Sequence, residues 1–329
     1  MFKPVHSRAG LCPADTGLNF WQDSVLKCRR RAKNRRGIHV KLDHHQESSN
    51  VEDRRGQRSV LRRGGQIGGV GLIILFVAAL VMGIDPQQLL RQVGQQPGAQ
   101  SAPAEPGKPY QEGQTEATLR ERSGKVLTST EVVWSQYFAR EGQQYPPPKL
   151  VLYTGETETA CGNGQAGMGP FYCPADQKIY IDLSFFVELD RKFGAPGDFA
   201  QAYVIAHEVG HHIQTVLGIS QKVNARRSRA ASEAEANEWS VRLELHADCL
   251  AGVWARNEDA QFRSMEQGDI QEGLAAASAV GDDRLQQQAQ GRIVPESFTH
   301  GSSEQRMRWF TKGLQSGTMD TCNTFSGPL

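Results

Sequence analysis

Residues 67–84, 18 uncharged and mostly apolar positions between Gln66 and Asp85, stand apart from the rest of the chain. At about 1.5 Å per residue the run nearly crosses a hydrocarbon core of about 30 Å, and it shows no polar face. A buried core helix would avoid Gly68, Gly69 and Gly71, so the pattern predicts one transmembrane helix. Downstream the apolar period changes from element to element. Val132, Val133, Tyr137 and Phe138 recur at helical spacing within residues 118–141, and Pro146, Pro147 and Pro148 stop that helix. Residues 149–154 and 178–183 are short, β-branched and aromatic, as two strands joined by a long connection would be.

Helices dominate the remainder. Asp198, with Gln201 three residues on, reads as the N-cap of a helix running through Tyr203, Val204, Ile205 and Ile213 to Gly218. Residues 220–229 form a polar, basic link to a second helix, opened by the capping-box pair Ser232 and Glu235 and extending to about Ala255. Weaker helical patterns cover 269–279, 283–290 and 302–314. A small sheet followed by helices defines an α+β fold behind one transmembrane helix.

Charge sharpens this division. Residues 1–63 hold 15 Lys/Arg against 6 Asp/Glu, whereas residues 64–329 hold 22 against 30. The expected order is a basic, largely disordered N-terminus (1–66), a membrane span (67–84), a Pro/Gly/Ala-rich flexible linker (85–109) and a folded domain (110–329). Arg54, Arg55, Arg58, Arg62 and Arg63 crowd the N-terminal flank of the span, which by the positive-inside rule keeps that side cytoplasmic and exports the C-terminal domain. The span lies far from residue 1 and lacks a small-x-small cleavage site, so it reads as a signal anchor that makes the bilayer a partner of residues 67–84. The basic run at 27–36 is explained by a solvated tail and this topology, and no specific nucleic-acid partner is expected.

Four cysteines, Cys161, Cys173, Cys249 and Cys322, fall in the exported part, where disulfides form. They allow three pairings. Cys161 and Cys173 close a short Gly-rich loop, which favours that pair and, by elimination, Cys249 with Cys322.

The chemistry concentrates in His207-Glu-Val-Gly-His211 on the predicted helix. Four-residue spacing puts both imidazoles on one face, able to reach a single Zn2+, while Glu208 can take the proton of a metal-activated water. The next positions of a metzincin motif hold Gln214 and Leu217, so the third ligand comes from elsewhere. Glu244 and Asp248 share a face of the second helix: Glu244 completes the metal set and Asp248 orients a ligand histidine. His300, in a turn before the last helix, is placed to hydrogen-bond an oxyanion. His212 and His246 point away from these faces.

These residues resemble the neutral zinc metallopeptidases of bacteria, through Asn50-Val-Glu-Asp-Arg-Arg-Gly56, Gly169-Pro-Phe-Tyr-Cys-Pro-Ala-Asp-Gln-Lys178, Ala206-His-Glu-Val-Gly-His-His-Ile-Gln214, Glu244-Leu-His-Ala-Asp-Cys-Leu-Ala-Gly252 and Phe298-Thr-His-Gly-Ser-Ser-Glu-Gln-Arg306. The resemblance covers about residue 48 to the C-terminus. It implies a zincin-like α+β domain, a peptide or protein substrate, and a single-pass protein of the bacterial inner membrane with its domain in the periplasm. The Glu-x-x-x-Asp arrangement is similar to that of gluzincins and supports Glu244 as ligand. By analogy, residues 173–183 supply an edge strand that receives the substrate. The competing reading is a membrane-tethered, zinc-containing binding protein without turnover, against which the intact Glu208 weighs.

Overall fold

A computed structural model of the protein describes residues 40–57 and 110–329. The described residues form one compact unit beginning at Val40. Its strands are β1 (Val51–Asp53), β2 (Lys149–Tyr153), β3 (Glu156–Thr159), β4 (Gly162–Gln165), β5 (Phe171–Cys173) and β6 (Lys178–Asp182). Its α-helices are α1 (Gln114–Arg140), α2 (Ser184–Arg191), α3 (Asp198–Val216), α4 (Ile219–Arg227), α5 (Glu233–Phe262), α6 (Asp269–Ala279), α7 (Asp282–Gln290) and α8 (Ser303–Ser316).

The main sheet has the order β1-β2-β6-β5, and β3 and β4 form a separate hairpin. β1, β2 and β6 run parallel, with β5 antiparallel at the edge. Leu150 to Tyr153 and Ile179 to Asp182 are buried in succession, as expected of strands covered on both faces. One face, through Leu150, Leu152, Ile179 and Ile181, packs into the helical core, and the other, through Val151, Tyr153, Cys173 and Tyr180, forms a separate small cluster with Phe171. β6 is flanked on both sides and the edge strands are β1 and β5, so within 173–183 only Cys173, at the end of β5, lies on an edge, a correction to the expectation that 173–183 as a whole offers it.

α3 runs through the centre and is buried on almost every side from Asp198 to Thr215. Asp198, expected as its cap, lies instead in the first turn, with Gly197 at the N-cap. Gly197 has φ of +118° and a Cβ there would meet the Glu272 carboxylate at 2.1 Å. That carboxylate accepts the Phe199 N–H at 3.0 Å, doing the cap's work from α6. α5 opens as read: Ser232 accepts the Glu235 N–H at 3.2 Å and Glu235 accepts the Ala231 N–H at 2.8 Å. It continues to Phe262, beyond the expected end near Ala255, and the polar link 220–229 is largely helix α4.

α5 and α8 touch backbone to backbone. A Cβ on Gly252 would lie 2.1 Å from the Phe310 carbonyl oxygen, and one on Gly313 would lie 1.9 Å from that of Cys249. The disulfide Cys249–Cys322 staples the same region, and Cys161–Cys173 closes the loop before β6, the pairing favoured from the sequence. Closing a 73-residue separation removes denatured-chain entropy worth about 4 kcal/mol in the loop-closure account.

The N-terminal boundary requires a correction. Residues 40–57 belong to the folded unit rather than to a tail ending at residue 66. β1 pairs with β2 through Val51 with Leu150, Glu52 with Val151 and Asp53 with Leu152. Val40 and Leu42 are buried in the same core as α1 and α3. Arg55, also buried, bridges Asp53, Glu112 and Glu116. Residues 1–39 and the predicted span 67–84 lie outside the described residues. Among the described residues no helix is long and apolar enough to cross a membrane.

Gly252→Ala or Gly313→Ala should destabilise the protein by at least about 2 kcal/mol, because neither carbonyl can retreat without separating the helices. Gly167→Ala, with nothing within 4 Å of the new methyl, should leave the urea midpoint nearly unchanged.

Candidate metal centre

α3 and α5 bring three groups together from the positions the spacing picked out. His207 Nε2 lies 3.2 Å from His211 Nε2 and 3.2 Å from Glu244 Oε2, and His211 Nε2 lies 3.4 Å from Glu244 Oε1. Gly210 makes this approach possible, since a Cβ there would lie 3.0 Å from the Ala247 carbonyl oxygen of α5.

The surrounding hydrogen bonds fix the ring tautomers. His207 Nδ1 lies 2.8 Å from Asp248 Oδ1, an acceptor only, so Nδ1 carries the proton. His211 Nδ1 lies 2.9 Å from Gln214 Oε1, and the Gln214 amide cannot be turned round because its Nε2 donates to the Leu243 carbonyl at 2.7 Å. Neutral rings held this way aim both Nε2 lone pairs, together with a carboxylate, at one point. Zinc bonds of about 2.0–2.1 Å in tetrahedral array set ligand atoms about 3.3 Å apart, close to the separations here. The donor set fits zinc.

Asp248 is fully buried and fully satisfied. Tyr203 donates its hydroxyl to Oδ1, and Arg306 reaches both oxygens at 2.9 Å. Burial works to raise the Asp248 pKa, but Arg306 and His207 outweigh it and hold the carboxyl at about 2. Without a metal, burial lowers the pKa of His207 while Asp248 and Glu244 raise it more, to about 9. His211 is likewise raised, by Glu244 against burial. Glu244 falls well below its ordinary range: burial opposes this, and the two histidines prevail.

Glu208 is buried and raised by that burial, with His211, His207 and Glu244 all within electrostatic reach. His300 stands at the rim with 52 % of its side chain exposed, its Nδ1 3.1 Å from Asp282 Oδ1. That bond raises its pKa, and Glu244 adds to the effect. His212 and His246 do not join the cluster. His212 bonds Tyr172 at 3.1 Å and the Pro146 carbonyl at 2.6 Å, fastening β5 to α3. His246 is held neutral by burial, its pKa about 3, against Gln214. Sequence reasoning assigned no role to Arg306, Tyr203 or Gln214. A buried arginine beside Met307, Trp309 and Phe310 was the available signal for the first.

A small sheet with an antiparallel edge strand over a helix bearing His-Glu-x-x-His, completed by a glutamate from the next long helix, is an arrangement typical of zinc peptidases. Residues 40–325 match the family described as "Putative neutral zinc metallopeptidase", and the chain belongs to it. The match begins at residue 40, earlier than the motifs suggested. The chain is 48 % identical over 283 residues to "Uncharacterized protein YpfJ" of Escherichia coli (strain K12), covering 85 % of this chain and 96 % of that protein. It is 39 % identical over 262 residues to "Uncharacterized protein Rv2575" of Mycobacterium tuberculosis (strain ATCC 25618 / H37Rv), covering 75 % and 85 %. No solved structure matches.

In the metal-free protein, protonated His207 stabilises the fold below the unfolded value near 6.5, and that contribution disappears as pH rises through about 9. Zinc must displace that proton, so its affinity should rise with pH and level off above about 9, as a chelator-competition titration will show. Asp248→Asn should weaken zinc about 10–100-fold and cost roughly 3 kcal/mol, because it leaves the Arg306 charge buried without its partner.

Proposed function

We propose that the protein is a zinc-dependent peptidase with Glu208 as its general base and acid. The convergence of two oriented imidazole lone pairs and the Glu244 carboxylate beside the buried Glu208 carboxyl supports this reading above all. Zinc bound by His207, His211 and Glu244 would supply Lewis-acid polarisation and lower the pKa of water. Glu208 takes the proton of the attacking water and returns it to the leaving amine, a role suited by a pKa that burial already raises. Asp248 keeps His207 in the ligating tautomer, Gln214 does the same for His211, and protonated His300 hydrogen-bonds the developing oxyanion at the rim. The peptide lies along the outer edge of β5, adding a strand antiparallel or parallel to Phe171–Cys173.

Both disulfides suit an oxidising compartment, so we place residues 40–57 and 110–329 together outside the cytoplasm, with any membrane attachment through 67–84 entering and leaving on that same face. Reporter domains inserted after residue 57 and fused at the C-terminus should report the same compartment. Opposite signals would restore a single crossing and break the β1–β2 pairing.

Glu208→Gln should retain one zinc at His207, His211 and Glu244 while cleavage of a mixed peptide library falls about 10²–10⁴-fold. Full zinc with no cleavage in the wild type would instead favour a zinc-containing binding protein, and zinc absent from this site would reject the peptidase reading. His300→Ala should lower kcat about 10²-fold with little change in KM.

A further inference from the structure

α5 carries a second cluster of ligating side chains, fourteen residues beyond Glu244 and so about 21 Å further along the helix. His44 and His45, consecutive in the N-terminal segment, direct their Nε2 atoms at the same oxygen, Glu258 Oε1, at 3.1 and 3.0 Å. One ligand atom from each of the three residues lies within 4.8 Å of the other two. His45 and Glu258 are buried, with side-chain exposures of 5 % and 2 %, while His44 is 29 % exposed and opens the cluster to solvent.

The carboxylate is met by neutral-capable groups rather than by a permanent cation. Among the described residues the ion-pair partners of Glu258 are His44 and His45, with no lysine or arginine against it. Both ring nitrogens converge on Oε1, while the buried Oε2 lies beside the Ser129 hydroxyl, which accepts the Trp254 indole N–H at 2.9 Å and keeps its own proton to donate to the carboxylate. Glu258 also sits one turn from the C-terminal end of α5, where exposed carbonyls disfavour a negative charge. A buried carboxylate in that position calls for a cation. His44 stacks on Phe262 at 4.4 Å between ring centroids and 20° between planes, and His45 meets the same ring edge-on at 4.9 Å, so the two imidazoles are held rather than free to rotate away.

We propose that His44, His45 and Glu258 form a second divalent-metal site, separate from the peptidase centre, that binds zinc or a similar borderline cation with water completing the shell on the open His44 side. Two imidazoles and a carboxylate are a zinc-type donor set, and ligand separations near 3 Å require only small adjustments around an ion. The site joins the segment that bears β1 to the end of the helix that bears Glu244. Lys41 N–H to Ser264 at 2.8 Å and Thr128 to the Gln46 carbonyl at 2.8 Å already lay that segment along α5 and α1. Metal here would lock the docking of 40–57.

The full-length protein, loaded with excess Zn2+ and desalted, should hold two zinc ions per chain by elemental analysis. His44→Ala and Glu258→Gln should each hold one, and His211→Ala should hold one that disappears when combined with His44→Ala. In the His211→Ala background, added Zn2+ should raise the thermal midpoint, and His44→Ala should abolish that rise. His44 is partly exposed, so its replacement leaves the fold standing even if Glu258→Gln does not. One zinc in the wild type, or a second zinc indifferent to His44→Ala and Glu258→Gln, would overturn the proposal while leaving the peptidase reading untouched.

Discussion

The buried carboxylate of Asp248 is the constraint on which the rest of the molecule depends. It sits on α5 and accepts hydrogen bonds from Tyr203 and His207 of α3 and from Arg306 of α8, so three helices meet at two oxygen atoms. None of these charges would be tolerated singly at this depth, and each is tolerated because the others are present. The backbone contacts at Gly210, Gly252 and Gly313 serve the same junction, since any added methyl would push the helices beyond hydrogen-bond reach. Stability and metal geometry are therefore set by one network. The interaction that neutralises Arg306 also decides which nitrogen of His207 faces the candidate metal centre.

Much of the site was legible in the sequence because it is local. His207, Glu208 and His211 are separated by helical spacing alone, and Glu244 and Asp248 by one further turn. Finding them required only a periodicity and the chemistry of the side chains. The disulfide pairing followed from a short loop and the remaining two cysteines. What was missed depends on long-range contact. Arg306 and Gln214 look like surface residues until their partners arrive from other elements. The cap of α3 is a carboxylate 74 residues after the helix starts, as Glu272 counts from Asp198, and no pattern around Asp198 announces it.

The end of α5 shows the same limit more sharply. The expected end near Ala255 is followed by the polar run Arg256, Asn257, Glu258 and Asp259. The helix continues because Val40, Leu42 and His45 cover it, and that cover comes from a segment assigned to a tail. β1 has three residues and two of them are acidic, which gives no local strand signal. Parallel pairing needs only a neighbour's edge, and β2 provides one.

That pairing alters how the positive charge before residue 67 is understood. Arg54 and Arg55 were counted as evidence for a cytoplasmic flank, yet both are engaged in the folded unit: Arg54 with Glu52, and Arg55 with Asp53, Glu112 and Glu116. A charge held in such a network is not available as a topological signal in the finished protein. Arg58, Arg62 and Arg63 lie outside the described residues. The topology rule counts residues near 67–84, and two of the five it counted are part of the folded unit. Docking of residues 40–57 is the stronger constraint, because it rests on a buried strand, a buried arginine and two buried aliphatic side chains, each of which would lose its partners on the far side of a bilayer.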